Sequence, residues 1–218
     1  MQKNKTVAGI MAMKKAGEKI TMLTAYDAAM AAMLAAADVD VLLVGDSLGM
    51  VVLGYDSTVP VTMDEMIHHA SAVRRGAPAA FVVGDMPFGS YQSSKRDSIL
   101  NGGRFLKEAG CDAIKLEGGQ EMCGIVTALV QAGISVMGHI GLTPQTATQL
   151  GGYKVQGRDI ESARKMVEDA VALEKAGAFA LVLECLPDEL GRIISEEIAI
   201  PTIGIGAGVH CDGQVLVT

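Results

Sequence analysis

The sequence predicts a closed, parallel α/β barrel of the (β/α)8 type, and three observations carry that expectation. Eight short runs rich in Val, Ile and Leu recur along the chain, separated by longer segments with helical patterning. The runs do not alternate apolar with polar residues, which is the pattern of strands covered by helices on a parallel sheet. No Pro/Ser-rich or low-complexity linker breaks the series, so residues 1–218 read as one barrel domain, a size that can bury a large apolar core.

Taken in order, residues 6–16 read as an extra N-terminal helix ahead of the first strand, placed to plug the lower end of the barrel. Strands are expected over 20–26, 39–45, 80–84, 113–116, 136–138, 179–183, 201–205 and 214–217. Between them, Thr62 with Glu65 has capping-box spacing, and Gly76, Gly110, Gly133 and Gly177 each follow a helical pattern where a left-handed stop is needed. Gly102 and Gly103 fall inside the helix after strand three, where each costs about 1 kcal/mol relative to Ala. Asp38 occupies a turn that Gly would adopt more easily. The chain ends at the eighth strand, so the eighth helix is expected to be missing and the C-terminus incomplete. The alternative architecture is a doubly wound open sheet, but no G-x-G-x-x-G follows the first strand.

Composition narrows the function. Half the residues are hydrophobic yet only 4% are aromatic and none is Trp, so the core must come from Ala, Val, Ile, Leu and the 13 Met. A net charge of −7 repels polyanions, so neither nucleic acid nor an anionic membrane is an expected partner. Cys111, Cys123, Cys185 and Cys211 have no C-x-x-C spacing and read as reduced, mostly core thiols. Lys14 and Lys15 interrupt what would be an apolar signal segment after Lys3 and Lys5, and the longest apolar stretch, 28–37, is too short to span a bilayer. A cytoplasmic location is therefore expected.

The functional face of such a barrel is built at the C-terminal ends of its strands. Those positions are acidic: Asp27 after the first strand, Asp46 with Ser47 after the second, Asp85 after the third, Glu117 after the fourth and Glu184 after the sixth, with His139 after the fifth. Any one of them could simply cap the following helix. Five carboxylates on one rim call for a cation, because at 4 Å two like charges repel by about 4 kcal/mol at an effective dielectric near 20. Oxygen donors without Cys or paired His point to Mg²⁺, or Mn²⁺ in its place, with Asp46, Asp85 and Glu117 from consecutive strands as ligands and Glu184 across the mouth. Lys115 lies two residues before Glu117 and so shares its inward face, either as a structural ion pair or as a cation for a substrate carboxylate or an enolate. His139 reads as a hydrogen-bonded core residue or a supporting group. His68 and His69 belong to a helix surface or its packing. Gly204, Gly206 and Gly208 after strand seven could cradle a phosphate, and the Gly-rich loop 151–157 is either a surface connection or a cover for the site.

These residues sit in longer runs that resemble the ketopantoate hydroxymethyltransferase family. The runs are Val-Gly-Asp-Ser-Leu-Gly-Met at 44–50, Asp-Ser-Thr-Val-Pro-Val at 56–61, Lys-Leu-Glu-Gly-Gly at 115–119 and Gly-His-Ile-Gly-Leu-Thr-Pro-Gln at 138–145. Further along come 151–157, Leu-Glu-Cys at 183–185 and Gly-Ile-Gly-Ala-Gly at 204–208. The resemblance covers essentially the whole chain. It implies a barrel of the phosphoenolpyruvate/pyruvate type and transfer of a one-carbon unit from 5,10-methylenetetrahydrofolate, the co-substrate, to 3-methyl-2-oxobutanoate. The product is 2-dehydropantoate, on the route to pantothenate, formed through a Mg²⁺-stabilised enolate. By resemblance Asp46, Asp85 and Glu117 hold the Mg²⁺, Asp46, Ser47, Asp85 and Lys115 hold the oxo acid, and Glu184 accepts the proton. It also implies a homo-oligomer, a decamer. The competing expectations are another metal-dependent oxo-acid lyase or mutase of the same barrel group, or an inactive truncated barrel.

Overall fold

The computed structural model describes residues 5–148 and 152–218. Helix α1 (Val7–Ala16) precedes eight strands: β1 (Ile20–Thr24), β2 (Val41–Val44), β3 (Phe81–Asp85), β4 (Ala113–Lys115), β5 (Val136–Gly141), β6 (Ala180–Glu184), β7 (Thr202–Ile205) and β8 (Gly213–Leu216). All are parallel, pair in sequence order, and close by pairing of β1 with β8. Between them lie α2 (Ala28–Ala36), the short α3 (Leu48–Val51), α4 (Met63–Gly76), α5 (Lys95–Lys107), α6 (Cys123–Gln131), α7 (Ile160–Ala176) and α8 (Asp188–Glu197). The expected strands all form, with ends displaced by up to three residues. The open-sheet alternative is excluded by closure.

Two apolar clusters hold the barrel. Alternate strand residues such as Leu42, Val44, Val82, Ile114, Leu181 and Leu183 pack outward against the helices. The opposite set, among them Met22, Val41, Leu43, Val83, Met137, Val182 and Ile203, fills the interior. At its lower end Phe81 and Phe179 meet edge to face at 6.0 Å, a favourable quadrupole arrangement. Helix α1 does plug this end. Its Ile10 is fully buried in the interior cluster, a burial that stabilises by about 2 kcal/mol. Lys14 Nζ donates to Ser195 O at 2.7 Å and Ile200 O at 3.0 Å and pairs with Asp212 at 3.0 Å, tying the helix across the barrel floor.

The local punctuation follows the sequence with one correction. Thr62 and Glu65 form the reciprocal capping box of α4, and Gly110, Gly133 and Gly177 adopt positive φ after their helices. Asp38 is left-handed as well, at φ 60. Gly76 is not a left-handed stop. It is the last residue of α4 in helical conformation, and a side chain there would collide with the Ala28 backbone, so glycine is needed for close approach of α2 to α4. Gly102 has a similar reason: a Cβ would come within 3.1 Å of Leu129, whereas Gly103 faces open space.

Candidate active site

The inward parity of the strands builds the site. Residues 81 and 83 of β3, 113 of β4, 137 of β5 and 180 and 182 of β6 are apolar and interior. Two residues on, the same faces carry Asp85, Lys115 with Glu117, His139 and Glu184. Strand pairing then sets neighbours: Asp85 is the register partner of Lys115, and His139 bridges to Gly118. Asp46 follows β2 and donates its backbone N–H to Asp85 Oδ2 at 3.3 Å. Gly45, just before it, leaves room for the Ser47 hydroxyl, which a Cβ there would meet at 2.7 Å and turn aside.

Asp46, Asp85, Lys115, Glu117 and His139 are all at most 4% exposed. They line, with Thr24, Ser47, Pro144 and Glu184, a cavity of about 60 Å³ at the upper end of the barrel. Lys115 Nζ stands 2.9 Å from Asp85 Oδ1, an ion pair without aligned hydrogen-bond geometry, and donates to His139 Nδ1 at 3.2 Å. That contact leaves the imidazole proton on Nε2, which lies 3.2 Å from Glu184 Oε2 without hydrogen-bond alignment. The Glu184 side chain keeps 21% exposure, the most open of the acidic groups here. Ser47 Oγ shares a hydrogen bond of 2.9 Å with the Tyr26 hydroxyl.

Three buried carboxylates face one ammonium, and their protonation reflects it. Burial, then the Asp85 charge, pushes Asp46 up to about 7 against the opposing pull of Lys115 and Gln145. Glu117 is raised well above the carboxylate range, first by burial and then by Asp46 and Asp85, with Lys115 opposing. Burial alone would strip Lys115 of its proton, but Asp85, Glu117 and Asp46 outweigh it and hold the ammonium above its ordinary range. His139 is pushed down by burial and by Lys115, so it is neutral at pH 7. Two buried oxygens, Asp85 Oδ1 and Glu117 Oε1, lack a hydrogen-bond donor.

Of the residues singled out on sequence, Asp46, Ser47, Asp85, Lys115, Glu117, His139 and Glu184 come together, and Asp27 does not. Asp27 is exposed and caps α2, accepting from Met30 N at 2.8 Å. His69 Nδ1 contacts Tyr26 O at 2.7 Å, a packing role. The glycine loop after β7 is no phosphate cradle, because the Asp188 carboxylate fills the space beside Gly208 and accepts from Val209 N at 3.2 Å. In the loop 151–157, Gly151 lies outside the described residues, and Gln156 N donates to Cys185 O at 2.9 Å, anchoring the far end of the loop beside Glu184. The four cysteines are unpaired thiols, Cys111 and Cys211 buried. No helix among the described residues is long and apolar enough to cross a membrane.

Sequence reasoning missed Gln145, Tyr91 and Tyr26. Gln145 Nε2 donates to Asp46 Oδ2 and to Met86 O, each at 2.9 Å, while its backbone N–H donates to Glu117 Oε2 at 3.1 Å. Tyr91 OH donates to Gln145 Oε1 at 2.8 Å and accepts from Glu117 N at 3.1 Å. The available signal was their place in loops at the strands' C-terminal ends.

Solved structures establish the architecture independently. A phosphonomutase-like barrel from Burkholderia cenocepacia, described as putative, superposes with a TM-score of 0.75 over 97% of this chain and 91% of that one, at 18% identity, which bears on fold alone. Sequence relatives go further. The 3-methyl-2-oxobutanoate hydroxymethyltransferase of Desulfotalea psychrophila is 68% identical over 98% of this chain and 76% of its own length. The enzyme of that name from Carboxydothermus hydrogenoformans is 63% identical over 97% and 77%. The sequence profile described as ketopantoate hydroxymethyltransferase matches residues 4–218, a span that includes every residue of the acidic cavity, and so this chain belongs to the ketopantoate hydroxymethyltransferase family.

Proposed function

We propose that this chain transfers a hydroxymethyl group from 5,10-methylenetetrahydrofolate to 3-methyl-2-oxobutanoate, giving 2-dehydropantoate. The observation that carries this reading is the interior layer of Asp46, Asp85, Lys115 and Glu117 facing Glu184, in a chain whose relatives are named for that activity.

The residues fit Mg²⁺. The donors are oxygens, two of them buried without a hydrogen bond, and the raised carboxylates are the ones a hard dication would relieve. Asp46, Asp85 and Glu117 would hold it. Among the described residues no three His, Cys, Asp or Glu side chains are already gathered as an ion-binding group. The fit therefore rests on the chemistry of the donors; water and substrate oxygens usually complete a Mg²⁺ shell that few carboxylates begin. When bound, the ion supplies Lewis acidity that polarises the 2-oxo group.

The protein's own groups account for the rest. Lys115, held protonated, and the Ser47 hydroxyl would bind the oxo acid's carboxylate. Glu184 accepts the proton from C3; the neutral His139 lies beside it, its Nε2 3.2 Å from Glu184 Oε2 though not aligned for a hydrogen bond. The electron pair released at C3 forms the bond to the folate's methylene carbon, whose two C–N bonds break; water supplies the hydroxyl, and the proton from C3 and one from water end on the two nitrogens of the departing tetrahydrofolate. The apolar walls Leu43, Val182, Ile205 and Val215 limit water that would otherwise reprotonate C3. Assembly into a homo-oligomer belongs to the same reading.

The test is product formation. 2-Dehydropantoate is expected only when the oxo acid, methylenetetrahydrofolate and Mg²⁺ are all present, and folded, Mg²⁺-binding protein that forms none overturns the reading.

A further inference from the structure

The interior acids do not hold themselves in place. Asp46 and Glu117 come from different strands, and the group that touches both is Gln145, which is 4% exposed and sits in the 3-10 turn after β5. Its side-chain amide takes Asp46 Oδ2, and its backbone N–H takes Glu117 Oε2. The second oxygen of Glu117, Oε1, is buried and has no hydrogen-bond partner.

The orientation of this amide is fixed by its surroundings. Nε2 faces two acceptors, Asp46 Oδ2 and Met86 O, and Oε1 faces two donors, Tyr91 OH at 2.8 Å and Gln92 Nε2 at 3.4 Å. A flipped amide would set its oxygen against a carboxylate and a carbonyl and strand both donors. Tyr91 also accepts from Glu117 N, so one hydroxyl braces the amide and the backbone of the acid it helps to place.

We propose that Gln145 is a positioning residue for the divalent cation: it occupies one oxygen each of Asp46 and Glu117, keeps the two carboxylates in fixed rotamers, and leaves their remaining oxygens for the ion. Tyr91 acts through Gln145 by locking the amide. The inference rests on the metal reading given above and adds to it the group that organises the ligands.

The experiment is titration with Mn²⁺, followed by the electron paramagnetic resonance signal of the free ion, with and without 3-methyl-2-oxobutanoate. The proteins are the full chain and its Gln145→Met, Tyr91→Phe and doubly substituted variants. Gln145→Met keeps the length and the backbone donor and deletes the amide; it is expected to weaken Mn²⁺ binding about 10- to 100-fold, the usual cost of losing a partner that orients a metal ligand. Tyr91→Phe is expected to weaken binding less and in the same direction, and the double variant no more than Gln145→Met alone, since both act through one contact. Saturating metal restores kcat in Gln145→Met while half-saturation by metal stays high, a split that general misfolding does not give. Unchanged Mn²⁺ affinity in Gln145→Met overturns the proposal, as does an additive double variant. Where Gln145→Met fails to fold, unchanged affinity in Tyr91→Phe overturns it. A full-length unsubstituted protein that binds no Mn²⁺ even with the oxo acid overturns the metal reading itself, a result separable from the other two.

Discussion

Lys115 Nζ and Asp85 Oδ1 face each other at 2.9 Å across neighbouring strands on which the two residues are register partners, and both side chains are at most 5% exposed. This ammonium is the fixed positive charge among Asp46, Asp85 and Glu117, so its removal leaves buried carboxylates without compensation. Breaking a buried pair by deleting one partner costs about 3–5 kcal/mol. Lys115→Met is therefore expected to lower the denaturation free energy of the metal-free protein by about 3 kcal/mol. Saturating Mg²⁺ should recover part of that loss by binding the folded state. Urea titrations with and without Mg²⁺ measure both, and an unchanged midpoint contradicts the electrostatic account.

Glu184, whose Oε2 lies 3.2 Å from His139 Nε2, is the proton acceptor we propose. Glu184→Gln keeps the shape and removes the base. Exchange of the C3 proton of 3-methyl-2-oxobutanoate in D₂O, followed by NMR, is expected to slow by at least about 100-fold, the lower end for loss of a general base. Binding of Mg²⁺ and oxo acid should persist. Exchange at the original rate would remove Glu184 from that role.

Asp46, pushed up to about 7 by burial and by Asp85, makes the metal-free protein sensitive to pH. A carboxyl whose folded pKa lies above its unfolded value contributes stability that is complete below the unfolded pKa, about 4, and vanishes as pH rises through the folded one. Between about pH 5 and pH 7.5 the melting temperature of metal-free protein is expected to fall, and Asp46→Asn should flatten that slope. Mg²⁺ should reverse the trend, because its ligands bind as carboxylates. A slope unaffected by Asp46→Asn would assign the titration elsewhere.

Asp85→Ala separates ligand from bystander. Asp85 touches both the Asp46 backbone and Lys115, and one of its oxygens has no hydrogen-bond donor. If it is shared between ion and oxo acid, its loss weakens both by more than the roughly 10- to 100-fold seen for groups that merely orient ligands. Calorimetric titration of each, alone and with the other present, is the measurement. Independent behaviour of the two ligands would take Asp85 out of the metal set.

What was legible in the sequence is what depends on local spacing. The two-residue repeat of a strand puts Lys115 and Glu117 on one face, and the ends of the apolar runs locate Asp85, His139 and Glu184. The same logic misjudged Asp27, since a strand-end aspartate followed at once by an Ala-rich helix satisfies that helix's N–H groups and turns away from the barrel. Gly76 misled because a glycine at a helix end serves equally as a left-handed stop or as a point of close packing, and only the position of Ala28 decides. Gln145 lies in a turn rather than on a strand, and its partner Asp46 is 99 residues away, so the contact exists only once the barrel closes.

The opposite end of the barrel is closed by α1. Ile10 of α1 is fully buried in the interior cluster with Ile20, Phe81 and Phe179, and is not among the residues that line the acidic cavity. Ile10→Ala removes methylenes from a close-packed floor and leaves a cavity, at a cost of about 2–5 kcal/mol. Because α1 is held to the floor by Lys14 through Ser195, Ile200 and Asp212, the helix should stay docked and the cavity stay open, placing the loss toward the upper half of that range. The rate per folded molecule is expected to be unchanged, since Ile10 does not line the upper cavity. Chemical denaturation gives the stability, and the exchange rate at C3 gives the function. A variant that keeps its stability would mean that α1 is not a structural plug, and a lowered exchange rate per folded molecule would mean that the two ends of the barrel are coupled.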